Sequence, residues 1–80
     1  MLIRTQDKRS LVDMTGMTLS IPYEGVGSKS EIRAISNQTG SWKLLGIYST
    51  EEKAIEVLDI IHSKYILNYR VFDMPDDEEV

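Results

Sequence analysis

The clearest hydrophobic pattern in the chain runs from Ala54 to Ile66. Apolar residues recur there at spacings of three and four, while acidic and small polar residues fall on the opposite side, as in an amphipathic helix. The residues Ser49-Thr50-Glu51-Glu52 precede this pattern. A hydroxyl and nearby carboxylates can accept hydrogen bonds from the unpaired amides of a helix start and favour its positive dipole end. The pattern predicts one helix from Thr50 to about Ile66.

Short apolar runs separated by polar or glycine-containing turns make up the rest of the chain. Met17 to Tyr23 alternates apolar and polar residues, which is typical of a half-buried strand. Trp42 to Tyr48 is apolar on both sides, which favours a central strand, and Gly46 within it suggests a close approach of the helix. The predicted strands are Leu2–Thr5, Leu11–Met14, Met17–Tyr23, Glu31–Ser36, Trp42–Tyr48 and Tyr69–Met74. We therefore expect an α+β fold, with an antiparallel sheet of five or six short strands and one α-helix packed on one face.

The 80 residues are enough for one small domain without disulfides, since the chain has no cysteine. We expect a single α+β domain over residues 1–75 and a disordered acidic tail over residues 76–80, where no apolar residue precedes Val80. A small domain whose helix is apolar on more than one side gains stability by pairing, so we also expect a homodimer. The aromatic and methionine residues near the C-terminus either cap the core or form the surface of this dimer, namely Tyr65, Tyr69, Phe72 and Met74.

The start of the chain predicts where the protein resides. Met1-Leu2-Ile3 is followed by polar residues, so this segment is too short for a secretory signal or a membrane span. We expect a cytoplasmic protein with no membrane partner.

The charge is unevenly distributed along the chain. Residues 1–48 carry six Lys and Arg against four acids, whereas residues 49–80 carry three against nine. This distribution argues against a general nucleic-acid binder, which needs clustered basic residues to neutralise phosphates. The acidic side of the helix, Glu52, Glu56 and Asp59, is a candidate surface for a protein partner, although a solvated face with no partner has the same composition.

The sequence features that could indicate catalysis lack the residues or the geometry that the corresponding reactions need. Gly25–Ser30 resembles a phosphate-binding loop, but Ser28 stands where that motif requires glycine, and a strand is predicted to follow where it requires a helix. His62 is the only histidine, has no cysteine or serine–carboxylate pair to act with, and fits a packed or half-exposed helix position. Carboxylates in a disordered tail lack the geometry of a metal site. We expect no catalytic residue, no metal and no cofactor, and hence no enzyme.

The predicted hairpin that ends at Trp42 is the candidate ligand site. An exposed indole ring there could stack on a ligand, with Arg33 and Lys43 on the paired strands to attract an anion. Burial of the single tryptophan in the small core is the favoured alternative.

Two segments resemble a pattern found in small proteins of Gram-positive bacterial phages and integrated mobile elements. Leu45–Ile61 carries a strand ending LG-x-Y followed by TEE-x-A-x-x-VL, and Val71–Asp77 carries a valine-aromatic-x-Met-Pro-acid ending. The opening Ile3–Asp7 and the short strand after it are similar too. The resemblance covers about half of the chain, and its motifs are structural, so it implies no catalytic residue.

The resemblance implies an accessory gene product, and some small phage proteins of this size inhibit host defences. We therefore expect a small non-catalytic interaction protein of phage or mobile-element origin that acts on a host protein. The alternative is a binder of a small anionic ligand, such as a signalling nucleotide, at Arg33, Trp42 and Lys43.

Overall fold

The structure is a computed structural model, and it describes residues 1–23 and 29–80. The elements in these residues are β1 (Leu2–Arg4), β2 (Leu11–Asp13), β3 (Met17–Ser20), β4 (Ser30–Ser36), β5 (Trp42–Tyr48), α1 (Glu51–Ile66), β6 (Val71–Asp73) and a 3₁₀ helix (Asp77–Glu79). The α+β class with one helix is confirmed. The glycine-rich segment that we interpreted as a loop lies outside the described residues, apart from Lys29 and Ser30, which begins β4.

The six strands form two sheets of three strands each, not the single sheet that the sequence predicts. In the first sheet, β1 lies between β2, which is antiparallel to it, and β6, which is parallel. The second sheet is antiparallel, in the order β3-β4-β5, so β5 is at its edge and the predicted central position of this strand is wrong. The sheets separate at the Thr15-Gly16 turn, where Gly16 has φ +71° and the Met17 amide bonds the Met14 carbonyl at 3.1 Å. At this turn the chain leaves the first sheet and enters the second. The sequence did not predict this division, because apolar alternation indicates strands but not which strands pair.

Gln6 joins the two sheets where β1 ends. Its backbone amide donates to the Leu45 carbonyl at 2.8 Å. Its side-chain Oε1 accepts from the Ile47 amide at 2.9 Å, and its Nε2 donates to the Ile47 carbonyl at 3.0 Å and the Pro75 carbonyl at 3.2 Å. The side-chain amide therefore does for β5 what the backbone of a neighbouring strand would do.

Helix α1 covers the core over almost all of its predicted length. The Thr50 hydroxyl accepts from the Lys53 amide at 3.1 Å, so Thr50 is the cap, one residue later than the cap implied by a helix that starts at Thr50. Asn68 follows the helix with φ +60°. Such a left-handed residue commonly ends a helix. The side chains that the helix buries are Ala54, Val57 and Ile61. They join Met74, which follows β6, and a core of strand residues that comprises Ile3, Val12, Ile32, Ala34, Leu45 and Tyr48.

Gly46 is required by the ring of Tyr48 and not, as we expected, by the helix. A Cβ atom at Gly46 would lie 3.1 Å from the Tyr48 hydroxyl and 3.4 Å from Cβ of Gln6. The Tyr48 ring is completely buried, and its hydroxyl donates to the Pro75 carbonyl at 2.8 Å. Strand β5 thus contains both Tyr48, the largest fully buried side chain, and Gly46, whose lack of a side chain leaves room for the ring.

The acidic end of the chain, for which the sequence predicts disorder, has specific contacts in the structure. The Asp77 carboxylate accepts from the Ser49 amide at 2.8 Å, and the Lys53 ammonium donates to the Asp77 carbonyl at 3.0 Å. The bond from the Ser49 amide is the main reason that the pKa of Asp77 lies below its ordinary value. Val80 packs against the core. Composition alone does not reveal these contacts, because the donors lie at the helix start, far away in the sequence.

Candidate functional site

The outer face of the second sheet carries apolar side chains in contact with solvent. Strand residues point alternately to the two sides of a sheet, and Ile32 and Ala34 point into the core. Glu31, Arg33 and Ile35, which flank them in β4, therefore point outward. The residues of β5 that pair with these three point outward as well. We call this surface the outer face, and its residues are Glu31, Arg33, Ile35, Trp42, Leu44 and Ile47. A shift in register between Ile32 and Arg33 turns both Leu45 and Gly46 inward, which restores Ile47 to the outside.

Trp42 lies on the outer face with 53% of its surface exposed, so the expected burial of the ring is wrong. The residue pairs with Ile35, which points away from the core, and the inward positions of β5 are filled by Leu45 and Tyr48. The guanidinium group of Arg33 lies 3.9 Å from the centre of the ring. This cation–π contact fixes the indole on the sheet.

Glu31 in turn holds Arg33. Its Oε1 accepts from Nη2 at 2.6 Å and from Nε at 2.9 Å, and both side chains are about one-third exposed. The pair makes the guanidinium rigid, but it also places a carboxylate against the positive charge that an anionic ligand would need. The sequence offered a signal for this contact, because residues two apart in a strand point to the same side.

Lys43, the third residue of the predicted ligand site, lies away from the other two. It pairs with Ala34, so it points to the opposite side of the sheet from Trp42. There it lines a cleft of about 400 Å³ together with Asp7 and Arg9. Hydrogen bonds from the Thr5 hydroxyl and the Arg9 amide lower the pKa of Asp7, so this cleft holds a carboxylate beside its two cations.

The predicted partner-binding acids of the helix, Glu52, Glu56 and Asp59, are all exposed. Two exposed apolar side chains lie next to them in the sequence: Ile55, which precedes Glu56, has 46% of its surface exposed, and Ile60, which follows Asp59, has 36%. The arrangement is compatible with a partner surface and equally with a solvated helix, so a partner-binding role for these acids stays a prediction.

Groups that could carry catalysis are dispersed or buried. His62 is exposed on the helix. Burial raises the pKa of Tyr48 to about 12, with Asp76, Asp77 and Glu79 adding to the effect, and its hydroxyl is fully used by the Pro75 carbonyl. Within residues 1–23 and 29–80, no three His, Asp or Glu residues lie close enough to hold a metal ion. The raised pKa of Tyr48 therefore reflects its place in the core.

The pKa of Tyr48 predicts a loss of stability in alkali. The unfolded chain releases the tyrosine proton near pH 10, whereas the folded chain holds it until about pH 12. The contribution is therefore complete below pH 10 and is lost as the pH rises towards 12, by about 1–2 kcal/mol. Urea unfolding at several pH values in this window should show the loss in the wild-type chain. In the Tyr48→Phe variant every other group titrates as in the wild type. If its free energy of unfolding fell equally over this pH range, the loss could not be assigned to Tyr48.

Comparisons with known proteins give no relative from which a site could be inferred. No family model, no curated protein and no solved structure matches the chain. Among the described residues, no helix has the length and apolar content needed to cross a membrane.

Proposed function

We propose that this chain is a small non-catalytic binding protein and that it engages a protein partner through the outer face. The observation that carries the proposal is the half-exposed ring of Trp42, held at 3.9 Å by an arginine that Glu31 fixes in turn. Tryptophan and arginine are the side chains most often found to dominate the energy of protein–protein interfaces. The outer face presents both in one fixed arrangement.

The surroundings of Trp42 also suit a protein surface. Ile47 is 37% exposed, and Ile35 and Leu44 are partly exposed on the same face. An apolar centre with a polar rim is the usual anatomy of an interface. Because Arg33 and Trp42 are already in contact, these side chains lose less conformational entropy when a partner binds them.

The resemblance to phage and mobile-element proteins suggests what the partner is. On that basis we propose a host protein, met in the cytoplasm of a Gram-positive bacterium, as the binding target. The homodimer expected from the sequence remains part of the proposal as a second use of exposed apolar residues. Tyr65 and Tyr69, which we expected at its surface, are 68% and 46% exposed, while Met74 is buried in the core.

The second candidate, binding of a small anionic ligand, has weaker support. Its three residues do not converge, because Lys43 points to the other side of the sheet. Glu31 would also have to release Arg33 before an anion could take its place. A thermal-shift screen with nucleotides tests this directly, since stabilisation of the wild type but not of an Arg33→Ala variant would favour the anionic ligand.

The variant Trp42→Ala tests the proposed partner surface. We expect capture of a specific protein from extracts of a Gram-positive host, identified by quantitative mass spectrometry, and binding to that purified protein weakened at least about tenfold by Trp42→Ala. The thermal midpoint of the free chain should change little, because the ring packs on one surface only.

Tyr69→Ala is the matched control for this experiment. Tyr69 is 46% exposed and has Lys64 4.5 Å from its ring centre, so it reproduces the cation–aromatic contact on a different surface. Binding should be unchanged in this variant. Equal affinity of the Trp42→Ala variant and the wild type would show that the outer face is not the partner surface.

A further inference from the structure

An apolar groove separates helix α1 from strand β3. It has a volume of about 360 Å³ and lies open to solvent. Met14, Met17 and Leu19 line one side, and Leu58, Ile61 and Tyr65 line the other. We call this the methionine groove. Flexible, polarisable methionine side chains adapt to differently shaped apolar groups, which suits a surface that accepts another chain.

Strand β3 forms the open edge of the second sheet beside this groove. Among the described residues it pairs with β4 alone. The Asn37 amide bonds the Gly16 carbonyl at 3.0 Å, and hydrogen-bonded pairs alternate along antiparallel strands, so Thr18 and Ser20 direct their backbone groups to β4. Leu19 therefore directs its N–H and C=O away from the sheet, and its side chain, opposite Ala34, points towards the groove.

We propose that an extended segment of a partner protein adds to β3 as a fourth strand and inserts alternate side chains into the methionine groove. The backbone groups of Leu19 determine the conformation of the occupant, since only an extended chain satisfies a strand edge. A residue of the partner paired with Leu19 points to the same side of the sheet as Leu19 does, which is the side of the groove.

The charge of the site determines the composition of the occupant. Among the described residues, His62 and Tyr65 are the ionisable side chains that line the groove, and β3 itself carries no charge. Met1 lines it too, and its α-amino group lies close enough to Asp13 to help lower the pKa of that carboxyl. Natural edge strands that avoid pairing usually carry lysine, a bulge or proline, and here Pro22 comes only after the strand has ended. A segment with uncharged apolar residues at alternate positions fits this surface.

A second copy of the chain fits less well. Edge-to-edge pairing of β3 with its counterpart would bring two α1 helices side by side on the same face of one continuous sheet. Each helix carries four acids, Glu51, Glu52, Glu56 and Asp59, against two lysines. Like charges would then meet across the pair. This favours a partner of different sequence.

Selection from a library of random short peptides tests the proposal on the full chain. We expect the enriched peptides to carry apolar residues at alternate positions. Tyr65→Lys, which places a charge at the groove, should weaken their binding at least about tenfold. Leu67→Lys is the matched control, because Leu67 is 65% exposed against 68% for Tyr65 but follows the helix and does not line the groove. Binding should be unchanged in this control.

Amide hydrogen exchange provides the second measurement. In the peptide-saturated protein, exchange of the Leu19 amide should slow at least about tenfold, because the added strand accepts its hydrogen bond. Unchanged exchange at Leu19, equal effects of Tyr65→Lys and Leu67→Lys, or a library that yields no binding peptide would each overturn the proposal. So would slowed exchange of the Leu19 amide on self-association of the chain without peptide, since the occupant of the β3 edge would then be a second copy. Trp42→Ala should leave peptide binding intact, which separates this result from the test of the outer face.

Discussion

Replacing Tyr48 with alanine should lower the free energy of unfolding by about 3–5 kcal/mol, the range found when a large aromatic side chain is removed from a core. The ring is completely buried beside Gly46, and its hydroxyl bonds the Pro75 carbonyl at 2.8 Å. The variant therefore leaves a cavity, loses the link from Tyr48 to the segment after β6, and leaves the Pro75 carbonyl with the Gln6 amide, at 3.2 Å, as its remaining donor. This loss is a large share of the total stability of a small domain, so the variant should unfold at a much lower urea concentration than the wild type.

The matched control is Tyr65→Ala, the same chemical change at a ring that is 68% exposed. Its effect should stay within about 0.5 kcal/mol, as is usual for surface substitutions. Urea unfolding followed by circular dichroism measures both variants. Similar losses in the two would mean that Tyr48 is not the centre of the core.

Local signals along the chain predicted the elements well. The predicted strand Trp42 to Tyr48 is strand β5 to the residue, and the helix begins at Glu51, one residue after the predicted start at Thr50. Signals of this kind act between residues that are close in sequence, such as the bond from the Lys53 amide to Thr50. The division into two sheets depends instead on which strands meet, and β1 meets β6 only after the helix has returned the chain.

The candidate site was predicted in part, and the reasons differ from residue to residue. Arg33 and Trp42 lie together as the hairpin implied. The separation of Lys43 from Trp42 follows from the alternation of adjacent strand residues, so the sequence contained that information. Whether Trp42 faces the core or the solvent depends on the register against Ile35, and a one-residue shift would reverse it.

Gln6 is the residue whose role the sequence conceals most completely. It stands in a polar connection between two short strands, where composition predicts only a turn. In the structure its side chain bonds Ile47 and Pro75, 41 and 69 residues away. Bringing together residues so far apart in the sequence costs chain entropy. These hydrogen bonds therefore depend on the packing of the two sheets that brings the residues together.

Replacing Gln6 with alanine should therefore cost about 2–3 kcal/mol, since three side-chain hydrogen bonds are lost and each contributes about 0.5–1.5 kcal/mol. Water can reach Ile47, which is 37% exposed, and this limits the loss. The backbone bond from Gln6 to Leu45 does not depend on the side chain and should persist. Hydrogen exchange should show the Ile47 amide opening faster, whereas the amides of β4 open only with the whole domain.

Two variants make this prediction specific to the amide group. Gln38→Ala removes an exposed glutamine from the hairpin turn. Within the described residues the Gln38 side chain makes no hydrogen bond, and its backbone amide donates to the Ser36 hydroxyl with either side chain, so the stability of this variant should equal that of the wild type. Gln6→Glu keeps the acceptor for the Ile47 amide but has no donor for the Ile47 and Pro75 carbonyls, and its charge would face both oxygens. It should be no more stable than Gln6→Ala at neutral pH and should gain on it as the carboxyl is protonated. A Gln6→Glu chain as stable as the wild type at pH 7 would mean that packing, not the amide, joins the two sheets.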